Sequence, residues 1–176
     1  MTKSANFVVV HLVFGTKNRK PYILPNVDDQ LHRLFGSVCN KLDCQIIQSG
    51  GYYDHIHILC ALSKNMPIKK LVEVLKSKSS RWIKTKAPYL KDFEWQTGYS
   101  IFAVSRQHVP MIQNYIRKQK SHHKKKTFST SNQIFIKSNW SIAVKPWNEE
   151  DDIFIEKIKY PTSYPDRSAA QAGMTD

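Results

Sequence analysis

Alternating hydrophobic and polar residues predict four β-strands, because one face of such a strand packs into a core while the other meets solvent. The predicted strands cover residues 6–14, 44–49, 53–62 and 93–105. Apolar residues spaced three to four apart predict helices over residues 27–41, 67–87 and 108–121. Asn26 is predicted to cap the first helix. Gly50 and Gly51 are predicted to form a turn or bulge, and Gly98 a bulge in the fourth strand.

The order β-α-β-β-α-β followed by a helix predicts an α+β fold. This is the order of the ferredoxin-like split βαβ sandwich, an antiparallel sheet with helices on one face. An added C-terminal helix then carries Tyr115. At 176 residues one domain is expected, and we place it at residues 1–148. Residues 127–138 are predicted to form a short helix. Residues 149–176, acidic and then rich in Pro, Ser and Ala, are predicted to form a loosely ordered tail.

The net charge of +13 is unevenly distributed. Residues 1–148 hold 24 Lys and Arg against 7 Asp and Glu, whereas residues 149–176 hold 3 against 7. A domain this basic, with dispersed aromatic residues, indicates nucleic-acid binding, although a basic protein without such a partner is an alternative. Three cysteines without a C-x-x-C pair favour a reduced cytoplasmic protein. We find no signal peptide and no membrane-spanning stretch, so no membrane partner is expected.

The third predicted strand carries two histidines on one face. Ile56, Ile58 and Cys60 fall on the opposite face, which is predicted to pack on the helices. His55 and His57 are then expected to face the open side of the sheet, where two imidazoles can converge on one divalent cation. On its own the H-x-H pattern is weak and more often marks two half-buried strand histidines with ordinary hydrogen bonds.

The last helix of this core carries a second candidate site. Tyr115 and Gln119 are four residues apart and therefore neighbours on one helix face. A surface tyrosine and a surface glutamine are the alternative interpretation of this pair.

Taken together, these residues resemble the small single-strand (IS200-like) transposases of bacterial insertion sequences. Those enzymes have one catalytic tyrosine and a His-hydrophobe-His (HUH) motif, and the REP-associated tyrosine transposases are their relatives. The resemblance covers residues 6–128. The matching motifs are Asp54-His55-Ile56-His57, Tyr115-Ile116-x-x-Gln119, His11-Leu12-Val13-Phe14-x-Thr16-Lys17-x-Arg19, Phe93-x-Trp95-Gln96-x-Gly98-Tyr99 and Gln119-x-x-His122-His123 with Phe128 after it. Residues 129–133 are neutral where the family often has acidic residues.

The resemblance implies a complete cleavage chemistry for single-stranded DNA. It assigns Tyr115 as the nucleophile and His55, His57 and Gln119 as ligands of Mg²⁺ or Mn²⁺. The implied products are a 5′-phosphotyrosine and a 3′-OH, formed by reversible transesterification. It further implies a homodimer in which the tyrosine helix of one chain serves the histidines of the other, acting near the nucleoid in a bacterial or archaeal cytoplasm.

The implied substrate is single-stranded DNA with subterminal hairpins at the ends of the element. Bases are expected to stack on Trp95 or Tyr99. The candidate DNA-binding residues are basic or polar: Lys17, Arg19, Lys78, Ser80, Arg81, Lys84, His122 and His123.

Two other functions remain open at this point. One is a non-catalytic module that binds single-stranded nucleic acid, or a domesticated REP-associated relative. The other is a metal-dependent nuclease that uses water, for which Tyr115 would be dispensable. The joint presence of two strand histidines and the Tyr115–Gln119 pair favours the transposase, because binding alone does not require them.

Overall fold

The computed structural model describes residues 7–120. Four strands form one antiparallel sheet in the order β2-β3-β1-β4. The strands are β1 (Val9–Gly15), β2 (Gln45–Tyr52), β3 (His55–Ala61) and β4 (Ser100–Val104). The helices are α1 (Pro25–Asn40), α2 (Ile68–Lys84) and α3 (Val109–Arg117), with 3₁₀ turns at Lys17–Arg19, Pro88–Leu90 and Arg106–His108. The predicted split βαβ arrangement is confirmed.

The hydrophobic core lies between one face of the sheet and the helices α1 and α2. Alternate residues of β3, Ile56 and Ile58, pack there as the strand period requires. Their partners from the two helices include Phe35 and Leu75, which are fully buried. None of the helices within residues 7–120 has the length and apolar character that crossing a membrane requires.

The opposite face of the sheet is covered by α3, so the expectation that His55 and His57 face an open side is wrong. The apolar stripe of α3, Ile112 and Ile116, is buried against β2 and β3. A close fit is possible because Gly50 of β2 has no side chain: an added Cβ would lie 2.7 Å from the carbonyl oxygen of Ile116.

Several local predictions need correction. Gly50 and Gly51 lie inside β2, not in a turn, and the register irregularity falls between Ile46 and Gln48. Helix α1 begins at Pro25, whose fixed φ suits the first turn, so Asn26 is not its cap.

Strand β4 is shorter than predicted because residues 93–99 are held by other contacts. Lys76 on α2 donates a hydrogen bond to the carbonyl oxygen of Gln96 at 2.8 Å and another to that of Gly98. Gly98 has φ +82°, in the left-handed region, and does not form a bulge within β4. The predicted helix at 127–138, the tail at 149–176 and the end of the domain at 148 lie outside the described residues.

Candidate active site

Three histidines lie on the sheet face that α3 covers. His55 and His57 come from β3 and His11 from the neighbouring strand β1. All three are buried, with 0–1% of their surface exposed. The ring of His57 lies 5.1 Å from that of His55, nearly perpendicular to it, and 5.1 Å from that of His11, nearly parallel.

The carboxylate of Asp54 fixes one nitrogen of His55. His55 Nδ1 lies 2.7 Å from Asp54 Oδ1, and because a carboxylate only accepts, Nδ1 carries the proton. In a neutral ring protonated at Nδ1 the lone pair is on Nε2, as a metal-binding histidine requires. The other carboxylate oxygen of Asp54 lies 2.8 Å from Arg19 Nη2.

Arg19 reaches Asp54 from the turn at Lys17–Arg19, which has an unusual backbone. Asn18 and Arg19 both have positive φ, 54° and 55°, a conformation that costs energy in residues other than glycine. Thr16 stabilises the turn, since its hydroxyl donates to Lys20 O at 2.7 Å and its N–H donates to Asp54 O at 2.8 Å. Only a quarter of the Arg19 side chain is exposed, so its position fits the support of Asp54 better than the predicted DNA contact.

His57 is hydrogen-bonded to His11 rather than to a carboxylate. His57 Nδ1 and His11 Nε2 are 2.9 Å apart. Burial lowers the pKa of His11 to about 3, so this ring is neutral at physiological pH.

Tyr115 lies beside these histidines in the same chain. Its ring centroid is 5.7 Å from that of His57 and 6.4 Å from that of His11, edge-on in both cases. Burial raises the pKa of Tyr115, and a side-chain hydrogen bond with Gln119 opposes part of this rise. The resemblance implied a tyrosine that serves the partner chain; here it lies next to the histidines of its own chain, and an arrangement across a dimer stays a prediction.

Gln119 follows α3 instead of lying within it. The regular helix ends at Arg117 and the chain turns at Lys118, yet Gln119 is 1% exposed and contacts Tyr115. The next residue, Lys120, forms an ion pair with Asp28 of α1 at 2.6 Å. Asp28 is itself buried, so this pair fixes the chain directly after Gln119.

A metal ion at this site would depend on the amide oxygen of Gln119. Within residues 7–120 no group of three or more His, Cys, Asp or Glu side chains is arranged to hold a metal. His55, His57 and Gln119 offer two imidazoles and one amide oxygen, and both rings have Nδ1 engaged in a hydrogen bond. Such a donor set fits a divalent cation in octahedral coordination with additional oxygen ligands.

Within residues 7–120, the structure does not bring the other predicted DNA-binding residues to the histidines. Three of them, Lys78, Arg81 and Lys84, are exposed on α2, whereas Ser80 is half-buried there. Helix α2 packs on the opposite face of the sheet. Lys17 is exposed, pairs with Glu94 and, with Lys84, lines a cavity of about 400 Å³.

Trp95 is occupied by contacts within the protein. Its ring lies 4.7 Å from that of Phe14 and 4.8 Å from that of Phe93. Its Nε1 donates to Ser79 Oγ at 2.9 Å. The expected stacking of DNA bases on Trp95 therefore does not fit its position.

Tyr99 is half-buried, while His122 and His123 lie outside the described residues.

Sequence reasoning missed three contributors to this site. Gly50 was interpreted as part of a turn, but it admits α3 to the sheet. Asp28 was assigned no role, and its contact with Lys120 spans 92 positions that no local pattern connects. His11 was identified only as part of a motif; its strand alternation places it on the same face as His57 once β1 and β3 are paired.

The comparisons with known proteins concern the family and the fold of the chain. The family model described as "Transposase IS200 like" matches residues 4–119. A crystal structure of a candidate transposase from Deinococcus radiodurans R1 is similar, with a TM-score of 0.54 and 24% identity over 68% of this chain and 98% of that one. A REP-associated tyrosine transposase bound to a REP hairpin has a TM-score of 0.53 and 12% identity, over 90% of this chain and 96% of that one. At these identities the likeness concerns the fold. The search of curated proteins gives no significant match.

Proposed function

Because the chain belongs to the IS200-like transposase family, we propose that it cleaves and rejoins single-stranded DNA with Tyr115 as the nucleophile. The observation that supports this most is the position of the phenol: it is hydrogen-bonded to Gln119, and its ring lies 5.7 Å from that of His57. A binding module has no need for a tyrosine, a glutamine and histidines in one cluster.

The proposed reaction is a transesterification at phosphorus. The Tyr115 oxygen forms a bond to the scissile phosphorus, and the bond from phosphorus to the 3′ oxygen breaks. The phenol proton passes to water, and the departing 3′ oxygen takes a proton from water. One phosphodiester linkage is exchanged for another, so the 5′-phosphotyrosine can react with a 3′-OH in the reverse direction without ATP.

Within this proposal the side chains around Tyr115 have separate tasks. His55, His57 and Gln119 would hold Mg²⁺ or Mn²⁺, which when bound supplies positive charge to the scissile phosphate. Asp54 orients His55, and Arg19 holds Asp54. Burial keeps Tyr115 protonated at neutral pH, because it raises a pKa that is already about 10 in a free phenol.

We further propose that the substrate is a hairpin in single-stranded DNA at the ends of a mobile element. The structurally similar REP-associated transposase is bound to a REP hairpin in its solved structure. This chain offers exposed basic residues for phosphates, among them Lys78, Arg81 and Lys84 of α2. A homodimer and a location at the bacterial or archaeal nucleoid belong to the same proposal.

A cleavage assay tests the proposal. Labelled single strands carrying the flanking sequence of the gene are incubated with Mn²⁺ and the wild-type chain, or with Tyr115→Phe, which removes one oxygen and little volume. We expect site-specific cleavage by the wild type and a loss of several orders of magnitude in the variant. Cleavage by Tyr115→Phe at the wild-type rate would mean that water is the nucleophile.

Gel shifts test the substrate separately. We expect a hairpin with a single-stranded flank to bind more tightly than a blunt duplex, with an affinity that falls as salt rises because phosphate contacts release counterions. Hairpin binding without any cleavage by the wild type would favour a binding module instead.

A further inference from the structure

His11 lies where the histidine strand and the tyrosine helix meet. Its buried ring contacts three elements at once. It lies 5.1 Å from His57 of β3, 6.2 Å from Phe102 of β4 and 6.4 Å from Tyr115 of α3, measured between ring centroids. A side chain in this place can act on the geometry of the site without contacting the DNA.

The hydrogen bond between His11 and His57 can run in either direction, and metal binding at His57 Nε2 would require one of the two. Between two neutral imidazoles, one nitrogen must donate a proton and the other must offer a lone pair. If His57 binds a cation through Nε2, its Nδ1 carries the proton. His57 Nδ1 is then the donor and His11 Nε2, 2.9 Å away, is the acceptor.

We propose that His11 is a positioning residue, whose Nε2 accepts a hydrogen bond from the Nδ1–H of His57 and so presents His57 Nε2 to the cation. This inference rests on the function proposed above. Asp54 does the same for His55, so each candidate ligand has its own acceptor: a carboxylate for one and a neutral imidazole for the other. Removing such a partner from a metal-binding histidine typically weakens metal affinity about 10- to 100-fold.

Two variants of His11 separate the hydrogen bond from packing. His11→Phe fills the space but has no acceptor, whereas the amide oxygen of His11→Gln can reach the place of Nε2. Phe102→Leu is the matched control, because it changes packing on the same ring and leaves the hydrogen bond. Calorimetric titration of the full chain with Mn²⁺ should give an affinity about 10- to 100-fold lower for His11→Phe. His11→Gln and Phe102→Leu should stay close to the wild type.

The protonation pattern of His57 gives a second readout, independent of metal and activity. The tautomer of an imidazole is set by the hydrogen bond of its other nitrogen. NMR of ¹⁵N-labelled imidazoles in the metal-free chain should therefore place the His57 proton on Nδ1 in the wild type and in His11→Gln. His11→Phe should lose this preference, while a role limited to packing would leave it unchanged.

The outcomes distinguish this inference from the proposed function. Suppose that the wild type cleaves DNA and binds Mn²⁺ while His11→Phe has the same Mn²⁺ affinity and the same His57 tautomer. In that case the inference is wrong and the proposed function stands. An equal loss in Phe102→Leu would also overturn it, in favour of packing. If His11→Phe does not fold, the Mn²⁺ affinity of His11→Gln is compared with that of His11→Asn, whose shorter side chain cannot bring its amide oxygen to the place of Nε2. Equal affinities of these two variants would contradict the inference. A wild type that neither binds Mn²⁺ nor cleaves removes the proposed function as well.

Discussion

Replacing Gly50 by alanine should lower the cleavage rate by displacing the tyrosine helix. The new Cβ would lie 2.7 Å from Ile116 O, about 0.7 Å short of the 3.4 Å at which ordinary contact begins, and 3.0 Å from Ile116 Cγ2. The closer atom belongs to the backbone, so α3 itself must move. Ile116 is next to Tyr115, and Gly50 is paired with His57 in the sheet. The displacement therefore separates the nucleophile from the histidines.

The expected loss of cleavage rate follows from how steeply the rate depends on the positions of the reacting groups. A misplacement of about 1 Å can cost on the order of 100-fold in rate. A shift of about 0.7 Å should thus cost roughly 10- to 100-fold, with a stability loss of about 1–3 kcal/mol from overpacking. Single-turnover cleavage of a labelled hairpin strand measures the first effect, and urea denaturation the second.

Gly36→Ala is the matched control. An added Cβ at Gly36 meets nothing within 4 Å, and Gly36 lies in α1, where alanine should stabilise the helix by up to about 1 kcal/mol. Its cleavage rate should equal that of the wild type. If Gly50→Ala folds and also cleaves at the wild-type rate, the contact between α3 and β2 does not set the distance from Tyr115 to the histidines.

Three further predictions concern other contacts. Burial lowers the pKa of Lys76 to about 8, so between pH 8 and about 10.4 the unfolded chain binds more protons than the folded chain, and the free energy of unfolding should rise with pH. Urea denaturation at pH 7.5 and 9.5 should show a rise on the order of 1 kcal/mol in the wild type. Lys76→Met should not show it. Asp28→Asn should reduce Mn²⁺ affinity severalfold in calorimetry, because it weakens the ion pair beside Gln119; an unchanged affinity would contradict this. Mixed dimers of Tyr115→Phe and His57→Ala chains should stay inactive in strand cleavage if each tyrosine serves its own chain, and restored cleavage would show exchange.

The order and type of the main elements could be predicted because both are local properties. The alternation of Ile56 and Ile58 with His55 and His57 is confirmed by the burial of the isoleucines in the core. The sequence did not indicate that α3 covers the opposite face of the sheet, which carries His55 and His57. That cover depends on how α3 packs against Gly50, some 65 positions earlier in the chain.

Some predicted site residues have partners within the protein that lie far away in the sequence. Arg19 has the sequence context of a phosphate contact, yet Asp54 occupies its guanidinium. Trp95 has the composition of a stacking platform, yet Phe14 and Phe93 enclose its ring. Strand β4 is shorter than its composition suggests, and Lys76 of α2 binds the carbonyls of Gln96 and Gly98 that precede it.

Detection of the covalent link between DNA and protein is the most direct test of Tyr115 as the nucleophile. The wild-type chain is incubated with Mn²⁺ and a hairpin strand from its own flanking DNA, denatured, digested and analysed by mass spectrometry. We expect a peptide that carries the DNA on Tyr115 through a 5′ phosphate. This peptide should be absent without Mn²⁺ and in Tyr115→Phe, but present when Tyr52 or Tyr53 is replaced by Phe. Strand cleavage with no DNA-linked peptide, or a link to a different residue, would contradict it.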